Sequence, residues 1–159
     1  AAFSRFRNAA LASSGFAALS LFSTKAAFAH CQVPCGIYDD SGRINTLLED
    51  CKTITKAMNQ VNSLSPAKNA QSMNQATRWI ITKEAHASNI ITILAEYFLT
   101  QKVANVSKYD EGYPAYLEIL ATHHRVMRLA MKAKQSTDLK VAEDLAHEIS
   151  HLATIYKKK

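Results

Sequence analysis

The sequence predicts an all-α fold, an antiparallel four-helix bundle, on three observations. Gly and Pro are scarce, four and three in 159 residues. Apolar residues recur at steps of three and four, the period that gathers them on one side of a helix. No stretch alternates apolar and polar residues as a half-buried strand would. The first helix is expected over 43–61, with Ile44, Leu47, Leu48, Cys51, Ile54, Met58 and Val61 as its stripe. Asp40 or Ser41 is its candidate N-cap, because a short side-chain oxygen can accept from the first unpaired amides. Residues 62–68, with Ser65-Pro66, read as a connection. Met73, Ala76, Ile80, Ala87, Ile91, Leu94 and Phe98 mark a long second helix over about 72–102. A loop over 105–114 carries Gly112, and Leu117, Leu120, Val126, Leu129 and Ala130 define a third helix, 114–134. Thr137-Asp138 begins a fourth, with Val141, Leu145, Ile149, Leu152 and Ile155 on one face. The lysines at 157–159 finish it with charge that suits a helix C-terminus. Four such helices joined by short connections bury their stripes most economically against one another.

Residues 1–29 are expected to be a cleaved targeting presequence, outside the fold. Arg5 and Arg7 give it a basic start, no acid occurs before Asp39, and 9–22 is an Ala/Leu/Phe/Ser-rich run. That run is short for a bilayer span. The implied destination lies across a membrane: an organelle (plastid or lumen), or a secreted or periplasmic location. Residues 30–159 then form one domain of 130 residues, enough for its own core. Removing Arg5, Arg7 and Lys25 leaves 16 basic residues against 13 acidic ones, a net +3. This is too mild for a nucleic-acid footprint, and no basic stripe is interleaved with aromatics. A small anionic substrate would feel a modest attraction. No membrane span is expected in the mature form, and three cysteines are too few for a disulfide framework.

The chemistry concentrates where His30-Cys31-Gln32-Val33-Pro34-Cys35-Gly36-Ile37-Tyr38 follows Ala27-Phe28-Ala29. Ala-Phe-Ala is a small-x-small site of the kind signal peptidases cut. A cut after Ala29 would give His30 a free α-amine. That amine, the deprotonated amide nitrogen of Cys31 and the thiolates of Cys31 and Cys35 form an N2S2 set. The adjacent small chelate rings of residues 30–31 favour a plane, which points to Ni(II) or Cu(II). The His30 imidazole remains for an axial position. Two thiolates four residues apart cannot close a structural zinc site, which wants four ligands, usually from two separated pairs. Pro34 and Gly36 provide the rigid and permissive positions that fold Cys35 back. Thiolate and amide donors push electron density onto a metal and stabilise its higher oxidation state, which suits one-electron chemistry.

In this hook the chain resembles the nickel-containing superoxide dismutases, whose mature chains begin His-Cys-x-x-Pro-Cys-Gly-x-Tyr-Asp. Residues 30–39 match every fixed position. The likeness extends more weakly through Arg78-Trp79, Lys83-Glu84, Tyr97-Phe98 and the helical C-terminal half. The resemblance implies that His30, Cys31 and Cys35 ligate one nickel ion per subunit. It implies that Tyr38 stands over the open face, ordering water and limiting access to small ions. The reaction implied is disproportionation of superoxide to oxygen and hydrogen peroxide by Ni(III)/Ni(II) cycling, in a homohexamer. The competing reading is an exported helical metal-binding protein that uses the same hook without turnover. The resemblance also implies a carboxylate, with an Arg, holding the His imidazole in some members. Here Asn45 occupies the corresponding place near Arg43-Ile44, with Glu49 a turn away and Arg78 or Lys83 as candidate cations.

Other residues invite chemistry less. Cys31 and Cys35 alone could be a reversible disulfide, but that explains neither His30 at the junction nor Tyr38. Cys51, on the first helix's stripe, reads as a small buried hydrophobe. His86, His123, His124 and Trp79 read as packing, surface or interface residues. His147-Glu148-Ile149-Ser150-His151 matches the HExxH pattern of zinc proteases, which sets two imidazoles on one side of a helix. Only eight residues follow His151, so no downstream third ligand is available and the match reads as chance.

Overall fold

The computed structural model describes residues 39–156. Four helices follow one another: α1 (Asp40–Leu64), α2 (Ala70–Thr92), α3 (Tyr113–Gln135) and α4 (Leu139–Tyr156). α2 runs directly into a π-helical segment, Ile93–Lys102, and a 3-10 turn, Ser65–Ala67, follows α1. The described part of the chain is thus all-helical, as expected. Each helix packs against two neighbours, α1 on α2 and α4, and α3 on α2 and α4. The pairings Asp40 with Tyr97, Asp50 with His86 and Lys56 with Trp79 make α1 and α2 antiparallel. His123 with Tyr156 and Arg125 with Glu148 do the same for α3 and α4. No described helix is long and apolar enough to cross a membrane.

The core is the expected stripes brought together: Leu47, Ile54, Met58, Ile90, Leu94, Phe98, Val126, Leu145, Ile149 and Leu152 are fully buried. Burial of such side chains contributes on the order of 1.5–3 kcal/mol each and outweighs the modest helix propensity of Ile and Val. Cys51 is buried among them, as expected, and burial followed by the Asp50 charge pushes its thiol up to about 12. The stripes are not buried throughout. Met73, Ile80, Leu117 and Ile155 were expected to face the core, yet each is exposed. α2, α3 and α4 thus present wider apolar faces than their neighbours cover.

Helix ends depart from expectation in ways their hydrogen bonds explain. The N-cap of α1 is Asp39, not Asp40 or Ser41: its Oδ2 accepts from Gly42 N at 3.2 Å and its carbonyl from Arg43 N at 3.0 Å. α1 also runs on to Leu64, so the connection begins later than 62. Asn69 caps α2, accepting from Ser72 N at 2.9 Å. Pro114 occupies the first turn of α3, where its missing amide costs nothing.

The second helix was expected to stay α-helical to 102, but its last ten residues widen to π geometry. Val103 N donates to Phe98 O at 3.0 Å, and Thr100 and Gln101 side chains donate to Ala95 O and Glu96 O. All three reach back five residues, the π-type spacing, rather than four. The wider turn places Tyr97 and Phe98 side by side in the core, at 7% and 0% exposure.

Candidate metal centre and its supporting residues

The proposed ligands His30, Cys31 and Cys35, and Tyr38, lie outside the described residues, as does the presequence. The described chain begins where the hook ends, at Asp39 and Asp40 on the N-terminus of α1. This end of the bundle is built from three elements. The Tyr97 hydroxyl donates to Asp40 Oδ1 at 2.6 Å, and Lys102 Nζ lies 3.0 Å from the same oxygen. The Lys102 ammonium also sits 5.3 Å from the Tyr97 ring centroid, and the Arg43 guanidinium 5.7 Å from it. Burial, then the Asp40 hydrogen bond, pushes the Tyr97 phenol up, while the Asp40 bond raises Lys102. Both groups therefore keep their protons at neutral pH. The π segment matters here because it supplies both Tyr97 and Lys102. Local widening of a helix of this kind recurs at functional sites.

A second cluster adjoins the first. His123 is fully buried, and its Nδ1 lies 2.7 Å from the Ile119 carbonyl oxygen. A carbonyl only accepts, so Nδ1 carries the proton and Nε2 is bare in the neutral ring. The Tyr156 hydroxyl, 2.9 Å from Nε2, is then the donor. Burial lowers His123 and raises Tyr156, the latter helped by the Asp40 charge. Tyr156 also walls a notch of about 110 Å³ with Ser41, Ile44, Asn45 and Ala153, beside the point where the hook joins α1.

The candidates for holding the His30 imidazole separate. Asn45 and Arg43 are at the hook end, Asn45 in the notch and Arg43 beside Tyr97. Arg78 is not: its neighbour Trp79 stands opposite Lys56, at 5.8 Å, which is 16 residues or about 24 Å along α1 from Asp40. Lys83 is committed elsewhere. It is 3% exposed, and its Nζ donates to the carbonyls of Ala133 at 2.6 Å, Lys134 at 2.6 Å and Ser136 at 2.9 Å. It therefore caps the C-terminus of α3, whose last carbonyls lack helical partners.

The remaining candidates behave as packing groups. His86 Nδ1 lies 2.6 Å from Asp50 Oδ1, and Asn89 Nδ2 donates to Asp50 Oδ2 at 2.8 Å, so a 4%-exposed carboxylate is fully partnered. His124 is exposed. In the HExxH lookalike the His147 side chain is 82% exposed, His151 is exposed, and Glu148 accepts from Arg125 Nε at 3.2 Å. Among the described residues no three His, Cys, Asp or Glu side chains are placed to hold a metal ion.

Sequence reasoning missed the Asp40–Tyr97–Lys102 and His123–Tyr156 clusters and the Asp50 network. A faint signal existed for the last: Asp50 sits beside Cys51 on a face otherwise apolar. The donor set of residues 30–35 nonetheless suits nickel, since planar nitrogen and thiolate coordination is a preferred environment for it. A family model described as nickel-containing superoxide dismutase matches residues 25–159, from just before the Ala27-Phe28-Ala29 site to the last residue. No curated protein and no solved structure matches the chain.

Proposed function

Because the chain belongs to the nickel-containing superoxide dismutase family, an oxidoreductase family with nickel as cofactor and superoxide as substrate, we propose that residues 30–38 form its catalytic hook. The observation that carries this is the order His30-Cys31-x-x-Pro34-Cys35-Gly36-x-Tyr38 immediately after Ala27-Phe28-Ala29. Cleavage before His30 releases an α-amine that no internal residue could offer. The amine, the Cys31 amide nitrogen, the two thiolates and the His30 imidazole would hold the metal. Nickel bound there would supply one-electron chemistry between its Ni(III) and Ni(II) states.

The chain's own residues do the rest. Two superoxide anions and two protons give one oxygen and one hydrogen peroxide, so the site must admit small anions and water but little else. Tyr38, the hook's last residue, would limit access over the open face and order water by its hydroxyl. At the bundle end from which the hook leaves, Arg43 and Lys102 are balanced by Asp39 and Asp40, so any pull on an anion comes from the chain's overall positive charge. The Tyr97 hydroxyl and Lys102 hold the Asp40 side chain on the first turn of α1. Residues 1–29 serve as a cleaved presequence directing the protein across a membrane, to an organelle lumen, the periplasm or the outside. Residues 30–159 form the working domain, assembled as a homohexamer. Exposed Met73, Ile80, Ile81 and Met131 offer apolar surface for that assembly.

The test is the N-terminal residue and metal content of the native protein. Expected are His30 as first residue and stoichiometric nickel. A variant blocked at Ala27 and Ala29 should accumulate as a helical, nickel-free, inactive precursor. A chain retaining residues 1–29 that bound stoichiometric nickel and dismutated superoxide would overturn the reading.

A further inference from the structure

We propose that Tyr156 and His123 form a proton-coupled redox site, in which Tyr156 gives up one electron while its phenolic proton passes to His123 Nε2. The geometry is that of a donor poised against its base. Nε2 is bare because Nδ1 donates to the Ile119 carbonyl, and the Tyr156 hydroxyl is 2.9 Å away. His123 is fully buried, so no water competes for Nε2. A phenol that must shed its proton to bulk water on oxidation needs a stronger oxidant than one with a base already in contact.

The surroundings set the cost and the route. The imidazolium formed is costly in an apolar core, where burial already lowers His123, so the proton goes back as soon as Tyr156 is reduced. Phe98 packs against both rings, at 4.4 Å from Tyr156 and 6.0 Å from His123 between centroids, and Tyr97 meets Phe98 edge-on at 5.0 Å. Aromatic rings therefore continue from Tyr156 to Tyr97 and Asp40 at the root of the hook. Tyr97 is the poorer donor of the two tyrosines. Its hydrogen-bond acceptor is a carboxylate, a weaker base than imidazole, already engaged by Lys102 at 3.0 Å.

The electron balance is closed by reagents the enzyme meets. A one-electron oxidant, a radical derived from peroxide, takes the electron. The Tyr156 O–H bond breaks and an N–H bond forms on His123, leaving a neutral phenoxyl beside an imidazolium. Superoxide then returns an electron, becoming oxygen, and the proton moves back from Nε2 to the phenolate oxygen. Such a site would carry oxidising equivalents away from Cys31 and Cys35, thiolates that peroxide otherwise converts to sulfenic and higher acids. The inference rests on the hook reading only for where the oxidant arises; the test below supplies its own, so the two can fail separately.

The nickel-loaded protein is oxidised by a photogenerated ruthenium(III) polypyridyl complex and freeze-quenched for electron paramagnetic resonance. A tyrosyl radical signal is expected, forming more slowly in D2O than in H2O. It should fall to background in Tyr156→Phe and persist in Tyr97→Phe. His123→Gln can keep both hydrogen bonds through its amide but cannot take the proton, so the signal should be lost there too. A signal that survives Tyr156→Phe, or that forms at equal rates in H2O and D2O in the unaltered protein, overturns the proposal. Full yield in His123→Gln would refute the proton step.

Discussion

Replacing Lys83 by Met removes an ammonium while nearly preserving side-chain length, and its cost follows from the three carbonyls it caps. Three hydrogen bonds to a charged donor, at about 1.5–3 kcal/mol each, set an upper bound of several kcal/mol. Two corrections reduce it. The Lys134 and Ser136 carbonyls are only part-buried and can turn to water, whereas the Ala133 bond is buried. Removing the lysine also relieves the desolvation of its own charge, which holds Lys83 below the ordinary lysine range despite Glu84. What remains is one buried carbonyl left unpaired, about 1–3 kcal/mol, and a helix C-terminus without its cation, about 0.3–1 kcal/mol.

Lys83→Met should therefore destabilise the bundle by roughly 1–4 kcal/mol, a large share of a typical domain's stability. The assay is equilibrium urea unfolding of the metal-free chain, followed by Trp79 fluorescence and by helical circular dichroism. Lys134→Met is the matched control. Its ammonium meets Ser88 Oγ at 3.0 Å and Glu84 at 3.7 Å near the surface, so it should cost about 0–1 kcal/mol. Equal costs for the two variants would refute the capping argument. Normal stability with lost nickel binding in Lys83→Met would instead return Lys83 to the neighbourhood of the hook.

Cys31→Ser or Cys35→Ser should abolish turnover, because a neutral hydroxyl cannot replace an electron-rich thiolate. His30→Gln should retain planar nickel, seen by its absorption spectrum, but cycle more slowly; the original rate would remove the axial role. Glu148→Gln should leave nickel content and turnover intact and cost about 0–1 kcal/mol by loss of the Arg125 pair, and lost activity with the hook metallated would place the chemistry at the other end of the chain. Burial holds the His123 pKa below its ordinary 6.5, so below about pH 6.5 the unfolded chain binds more protons. Stability should therefore fall as pH drops from there toward the folded-state pKa, by at most about 1.4 kcal/mol per pH unit. His123→Gln should flatten that slope in urea titrations, and an unchanged slope would contradict it.

Periodicity located the helices because each one buries a continuous stripe, and a stripe is a local property of sequence. It could not say which stripes a neighbour covers. Met73 and Ile80 obey the same spacing as Ala87 and Leu94, yet the first pair is exposed and the second buried. The cap of α1 was ambiguous for a related reason: Asp39, Asp40 and Ser41 are all competent, and only the backbone decides among them. The π segment left no mark, since the residues of 93–102 would serve an α-helix equally well. Lys83 shows the deeper limit. Its partners are main-chain carbonyls some fifty residues away, which no pattern of side chains reveals. The proposed hook is the opposite case: all its proposed donors fall within six consecutive residues, so that reading rests on their order alone. Asp40 and Tyr97, by contrast, are 57 apart and meet only through the fold. A site built from consecutive ligands on a bundle thus divides its information: the identity of the metal is written locally, and the support that tunes it is distributed. Substitutions at Cys31 and Cys35 should therefore act on metal and rate together. Those at Asp40, Tyr97 or Lys102 should change the rate while leaving nickel content near its original value.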